Sequence, residues 1–185
     1  STNPISIGMP VNSGSPIIFD AATSALAEGK VRVARNKGVE LPADSLLDAT
    51  GKPTCNPADL YAEPPGTLMP MGGHEGTGLA IMADLLAGAI TGSCCARPGV
   101  TGLTNGMLSI LMDPGVFADQ ERVDSEISRF ADWVSQSVPA DPNHPVQLPG
   151  DPEQATENDR RKNGIPLDDV TWQQIVSTAK NLDIH

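Results

Sequence analysis

Four glycines, Gly72, Gly73, Gly76 and Gly78, fall within the short stretch Met69-Pro-Met-Gly-Gly-His-Glu-Gly-Thr-Gly-Leu79, with His74 and Glu75 between them. An Ala/Leu-rich run follows directly and ends near Gly92. Glycine admits positive φ and lets a ligand approach the backbone, and a helix starting behind such a turn presents N–H groups that nothing earlier in the helix can satisfy. That combination suits an anion or the polar edge of a ligand. A tight turn feeding a buried helix explains the same residues, because the spacing is neither a Walker loop nor a dinucleotide fingerprint. A second group is Asp20-Ala-Ala-Thr23-Ser24, placed after the apolar Ile17-Ile18-Phe19. Thr23 or Ser24 is the expected helix cap. Asp20, at the end of a buried strand, is either a functional carboxylate or another capping group.

The elements that must position these residues can be laid out from periodicity and breakers. Strands are expected over 4–9, 16–20 and 106–112, and helices over 23–36, 77–91 and 117–136. Lys30, Arg32 and Arg35 suit the C-terminal end of the first helix. Leu79, Met82, Ala83, Leu86 and Ile90 make one face of the second, and Val123, Ile127, Phe130 and Val134 a core stripe on the third. Residues 38–68, rich in Pro and Gly, read as an irregular arm that wraps a neighbour. Pro139 to Pro152 is a connector, and short helices near 152–162 and 168–181 close the chain. The organisation expected is a core over 1–137, followed by connector and helices over 138–185.

Composition narrows the partners. The chain has 185 residues, 39% hydrophobic and 19% charged, enough for a real core. Aromatic residues are 3%, so aliphatic side chains must fill that core. A net charge of −11 disfavours tracking along nucleic-acid phosphates and binding to anionic membranes. No apolar run reaches the ~18 residues of a membrane span. Three cysteines, with Cys94 and Cys95 adjacent, give neither a disulfide framework nor zinc spacing, so no metal is expected. A reducing, cytoplasmic setting and a small-molecule substrate are the expectation.

Several motifs, in order, resemble the malate/L-lactate/ureidoglycolate dehydrogenase family, the non-Rossmann group that includes sulfolactate dehydrogenases and cyclic-imine reductases. Ser1-Thr-Asn-Pro-Ile-Ser-Ile-Gly-Met-Pro10 is similar to its "GTNPIAIGIP", and Asp20-Ala-Ala-Thr-Ser24 to its "DMATS". Leu46-Leu47-Asp48 with Gly51-Lys-Pro-Thr54 resembles "ALDADGxPT". Gly72-Gly-His-Glu-Gly-Thr-Gly-Leu79 with Leu85-Leu-Ala-Gly88 resembles "GGHKGYGL…LLAG". Pro149-Gly150-Asp151 and Gly164-Ile-Pro-Leu167 with Trp172 match its C-terminal end. The resemblance implies a mixed α/β fold with a largely antiparallel sheet covered by helices, and no doubly wound Rossmann topology. It implies substrate- or cofactor-binding roles for Thr23, Ser24, Gly73, His74, Glu75, Gly76, Gly150 and Asp151. Family members are roughly twice this length. Their N-terminal half carries the Ser/His/Arg substrate motif and the catalytic His, and neither is in this sequence. Glu75 also stands where the family has the Lys that meets the cofactor's pyrophosphate.

Two functions from different classes follow. Ser1 replaces the family glycine at the first residue. A processed chain would place a hydroxyl and a free α-amine together, the arrangement of an N-terminal-nucleophile hydrolase. On that reading Ser1 attacks an amide, lactam or imide carbonyl of a small, carboxylated substrate, Asn3 with Thr2 nearby steadies it and stabilises the oxyanion, and Asp20 orients the amine or binds the substrate. No cofactor is then expected, and the partner is the N-terminal half of the same precursor, the pair itself dimerising. The alternative is the C-terminal part of an NAD- or NADP-dependent 2-hydroxyacid or cyclic-imine oxidoreductase. A pure binding module is a distant third.

Overall fold

A computed structural model describes residues 2–12, 14–99 and 105–184. The chain is mixed α/β, with small antiparallel sheets and five α-helices among the described residues. It divides into two compact units, neither of them continuous in sequence. The first takes in 1–4, 22–106 and 165–185, and the second 5–21 and 107–164.

In the first unit, helix α1 spans Glu28–Lys37 and ends at Gly38 in the left-handed conformation. It begins later than the sequence suggests. Its N-cap is Ala27, and no side chain caps it. Thr23 and Ser24 are engaged elsewhere, which is why the helix cannot start at them. Residues 38–68 are built, not irregular. Strand β3 (Leu46–Leu47) lies between β4 (Pro53–Thr54) and β5 (Thr67–Leu68) in a three-stranded antiparallel sheet. A 3₁₀ turn at Pro57–Tyr61 opens on Asn56, whose side chain accepts from the Ala58 amide. Strands of two residues lie below what periodicity can register, so the sequence shows only their turn residues. Val31, Leu41 and Leu46 form the buried cluster, with Leu26, Ala34, Leu60 and Leu68 packed against it. Helix α2 spans His74–Asp84 and continues as a π-helical turn, Leu85–Ile90. Helix α5, Asp169–Asn181, is capped by Asp168, whose carboxylate accepts from the Thr171 amide and hydroxyl. Asn36 of α1 donates to the Thr171 hydroxyl of α5.

The second unit pairs β1 (Ile5–Met9) with β2 (Ile17–Ala21) in an antiparallel ribbon, Ser6 opposite Asp20. Helix α3 spans Gln120–Ser135 and is capped by Asp119 through the Arg122 amide. Its buried residue is Ala131, while Phe130 turns outward beside Trp133, ring centroids 5.9 Å apart. Helix α4, Asp151–Asn163, is a polar helix with its acidic residues first and basic residues last, matching the helix dipole. The strand expected at 106–112 is not formed. Those residues carry no sheet partner, so the three expected strands do not share one sheet.

Candidate functional site

In the first unit three distant segments run side by side. The Thr23 amide donates to the Thr2 carbonyl at 2.9 Å, and the Thr23 hydroxyl donates to the same oxygen at 3.1 Å. The Met71 amide donates to the Thr23 carbonyl at 2.9 Å, and the Ala25 amide to the Met69 carbonyl at 2.7 Å. Ser24 and Pro70 form the antiparallel bridge between those two segments. Thr23 and Ser24 are buried, and the Ser24 hydroxyl donates to the Leu26 carbonyl. Asn3 donates its side-chain amide to the Ala80 carbonyl of α2 at 2.8 Å. The ladder therefore delivers Met71 into the glycine turn at a fixed height, and Asn3 ties its own segment to the helix that follows the turn. Little in residue type signalled this ladder, because apart from the Thr23 hydroxyl its bonds are backbone to backbone.

The turn itself is open. Gly72 and Gly73 both have positive φ, 59° and 69°, and both are exposed. A Cβ on Gly73 would meet nothing within 4 Å. Gly73 is the N-cap of α2, and no side chain caps the helix. His74, Glu75, Gly76 and Gly78 thus belong to the helix rather than to a loop, which moves the helix start three residues earlier than periodicity suggests. Gly76 is buried for a packing reason. A Cβ there would lie 2.0 Å from the Met71 carbonyl oxygen and 2.7 Å from the Met71 nitrogen. Gly78 has open space around it.

Glu75 lies in the first turn of α2, its carboxylate 3.3 Å from His74 Nδ1 and 3.9 Å from where a Gly72 Cβ would be. The two side chains are 67% and 92% exposed. A carboxylate here stabilises the positive helix end from within the chain. The backbone of the turn fits a phosphate-bearing group: left-handed glycines, a helix N-terminus and no covering side chain. The Glu75 charge works against the same group. Because Glu75 is exposed, that opposition is screened by water and is smaller than a partly buried charge would give.

The remaining predicted residues lie in the second unit. Asp20 is exposed in β2. Gly150 has φ 102° and N-caps α4, with Ile18 and Pro16 backbone atoms 3.4–3.6 Å from where its Cβ would be. The Ile18 amide donates to the Pro149 carbonyl at 2.9 Å, so this corner is fastened to β2. Asp151 accepts from the Leu148 amide at 2.7 Å, holding the turn that starts α4. Ser1 lies outside the described residues. Among the described residues no group of three or more His, Cys, Asp or Glu is placed to hold a metal, and no helix is long and apolar enough to cross a membrane.

Residues 1–176 match the family described as malate/L-lactate dehydrogenase. The chain belongs to that family. It is 37% identical over 186 residues to hydroxycarboxylate dehydrogenase B of Escherichia coli (strain K12), covering 98% of this chain and 51% of that protein. It is 37% identical over 159 residues to a Δ1-pyrroline-2-carboxylate/Δ1-piperideine-2-carboxylate reductase of Pseudomonas syringae pv. tomato, covering 81% and 43%. Among solved structures, a malate/lactate dehydrogenase candidate from E. coli superposes with a TM-score of 0.91 at 37% identity, over 100% of this chain and 52% of that one. The chain spans about half the length of the curated relatives it matches.

These relatives overturn the hydrolase expectation, since they are dehydrogenases and reductases. That expectation rested on Ser1 in place of the family glycine and on Glu75 in place of the family lysine. The Asn3 side chain assigned to help Ser1 is engaged with α2. Asn3 donates its side-chain amide to the Ala80 carbonyl, and the Thr2 backbone carbonyl accepts from Thr23. The expectation of no cofactor falls with it.

Proposed function

We propose that this chain is the cofactor-facing part of an NAD- or NADP-dependent oxidoreductase acting on a small 2-hydroxyacid/2-oxoacid pair or a cyclic imino acid. The observation that carries the reading is the family match over residues 1–176. The relatives' named substrates share a carboxylate beside a carbon that changes between sp³ and sp². A nicotinamide dinucleotide, when bound, supplies or accepts the hydride for that change.

This chain's own residues do the holding. The exposed backbone of Gly72 and Gly73 and the start of α2 receive the diphosphate portion. Gly76 lets α2 sit against Met71, and the Thr2–Thr23–Met71 ladder fixes the turn. Thr23 and Ser24 act here as buried supports, their hydroxyls committed to backbone carbonyls. The resemblance to the family implies that the proton donor and the groups that hold the substrate carboxylate come from the half of the family polypeptide that this chain does not span, and that half is the partner we propose. The resulting pair is expected to dimerise.

The test is co-expression with that complementary half, followed by nicotinamide absorbance with a panel of 2-oxoacids and cyclic imino acids. Turnover of NADH or NADPH with at least one class is the expected result. An assembled pair that binds neither nucleotide and turns over none of the panel overturns the reading.

A further inference from the structure

Gly72 and Gly73 cannot hold their own shape. Neither carries a side chain, no side chain caps α2 at Gly73, and a Cβ on Gly73 would touch nothing. Their conformation must therefore be imposed from the two ends of the turn. The entering end is Met71, whose amide donates to the Thr23 carbonyl, while the Thr23 amide and hydroxyl donate to the Thr2 carbonyl. The leaving end is α2, where Gly76 lies against Met71 and Ala80 stands about one helical turn further on. The Ala80 carbonyl accepts the side-chain amide of Asn3. Both ends thus refer back to one dipeptide, Thr2–Asn3, and the contacts close into a ring around the turn.

Asn3 has an uncommon backbone within that ring. Its φ is 32°, a value that residues with side chains seldom adopt, and Pro4 after it narrows its choices further. Such a conformation persists where neighbouring contacts over-determine it. Here the Thr2 carbonyl is held by Thr23 on one side, and the Asn3 side chain is held by α2 on the other. Asparagine suits the place, because it tolerates positive φ better than most residues and carries an N–H donor. We infer that Asn3 is a positioning residue for the glycine turn that receives the dinucleotide. Its bond to Ala80 sets the spacing between Met71 and α2, and so the aim of the Gly72 and Gly73 backbone. The inference rests on the placement of the dinucleotide at this turn in the proposed function. Groups that receive a ligand must be held to within about 0.5 Å, and Gly72 and Gly73 supply no side chain to do so. The competing role is a staple that contributes to stability alone.

Two substitutions in the full 185-residue chain separate these roles. Asn3→Asp keeps the tolerance for positive φ but loses the donor, so Tm should fall. Asn3→Gly loses the same bond, yet it accepts the backbone without strain and adds no charge, so Tm should stay close to that of the parent. Both should weaken NADH binding roughly 3- to 10-fold in fluorescence titration, the factor that one net hydrogen bond carries. In nuclear magnetic resonance spectra of the unliganded chain, the Gly72 and Gly73 amide signals should shift in both variants. The Val31 and Leu46 methyl signals should stay in place. An Asn3→Gly chain that binds as tightly as the parent, so that affinity follows Tm, overturns the inference and leaves a staple. Glycine amide signals unchanged in both variants overturn it as well. A parent chain that binds neither NADH nor NADPH counts against the oxidoreductase reading, and the glycine amides then still decide whether Asn3 positions the turn.

Discussion

Replacing Glu75 by Lys should tighten nicotinamide dinucleotide binding, and the structure sets how far. The Glu75 side chain is 67% exposed and lies in the first turn of α2, next to the open Gly72–Gly73 turn. Its field reaches a bound diphosphate mainly through water, where two unit charges 4 Å apart interact by about 1 kcal/mol. Changing −1 to +1 doubles the difference, and the larger separation and screening reduce it again. The net is roughly 1–2 kcal/mol, or about 5- to 30-fold in Kd at low salt. Glu75→Gln should deliver about half of that in free energy. Both variants also remove the carboxylate that stabilises the helix end, which costs about 0.3–1 kcal/mol of stability, so a small fall in Tm accompanies the gain. Fluorescence titration with NADH and NADPH, at low ionic strength and again at high, measures the effect. Screening should shrink the gain at high salt, where the Debye length falls to ~3 Å at 1 M. A Lys variant that binds no tighter than the parent at low salt refutes the placement of the diphosphate at this turn. A gain that ignores salt refutes the electrostatic account.

Other perturbations test the scaffold. Gly76→Ala drives a Cβ into the Met71 backbone, which cannot move without disturbing the ladder, so chemical denaturation should show a loss of about 1–3 kcal/mol or more together with weaker nucleotide binding. Gly78→Ala, on the same helix with open space around it, should instead gain up to about 1 kcal/mol. Leu46→Ala empties the centre of the Val31–Leu41–Leu46 cluster and should cost about 2–5 kcal/mol in the same assay. Tyr61, the chain's single tyrosine, has its pKa pushed up to about 12 by burial and then by donating to the Glu28 carboxylate at 2.7 Å. The folded value lies above the ordinary 10.0, so the stabilisation is complete below pH 10 and is lost as pH rises through 12. Ultraviolet titration should show phenolate appearing near the higher value, and Tyr61→Phe should remove that loss of stability between pH 10 and 12.

What could be read from the sequence depended on the range of the interaction involved. Helices α3, α4 and α5 were legible to within a few residues because each carries its own local pattern, such as the Val123, Ile127, Phe130 and Val134 spacing on α3. The start of α2 was misplaced because glycines suppress helix propensity, yet Gly73 is the cap and Gly76 is required by contact with Met71, a residue whose height is set by Thr23 from another segment. Residues 38–68 hid a sheet because strands of two residues have no period, and their pairing is fixed instead by turns such as the one where Asp48 accepts from the Thr50 and Lys52 amides. Residues 106–112 failed in the opposite direction. Their composition states a strand, but a strand is a relation between two segments, and among the described residues no second segment pairs with this one. The same asymmetry governs the candidate site. The open turn at Gly72 and Gly73 can be found from type and spacing, whereas no side chain described beside it declares a reaction. Reading a nucleophile into Ser1 filled that gap with the nearest available hydroxyl. Local pattern thus recovers the elements that carry their own signal and misses those fixed by contacts between distant segments, as Met71 is fixed by Thr23.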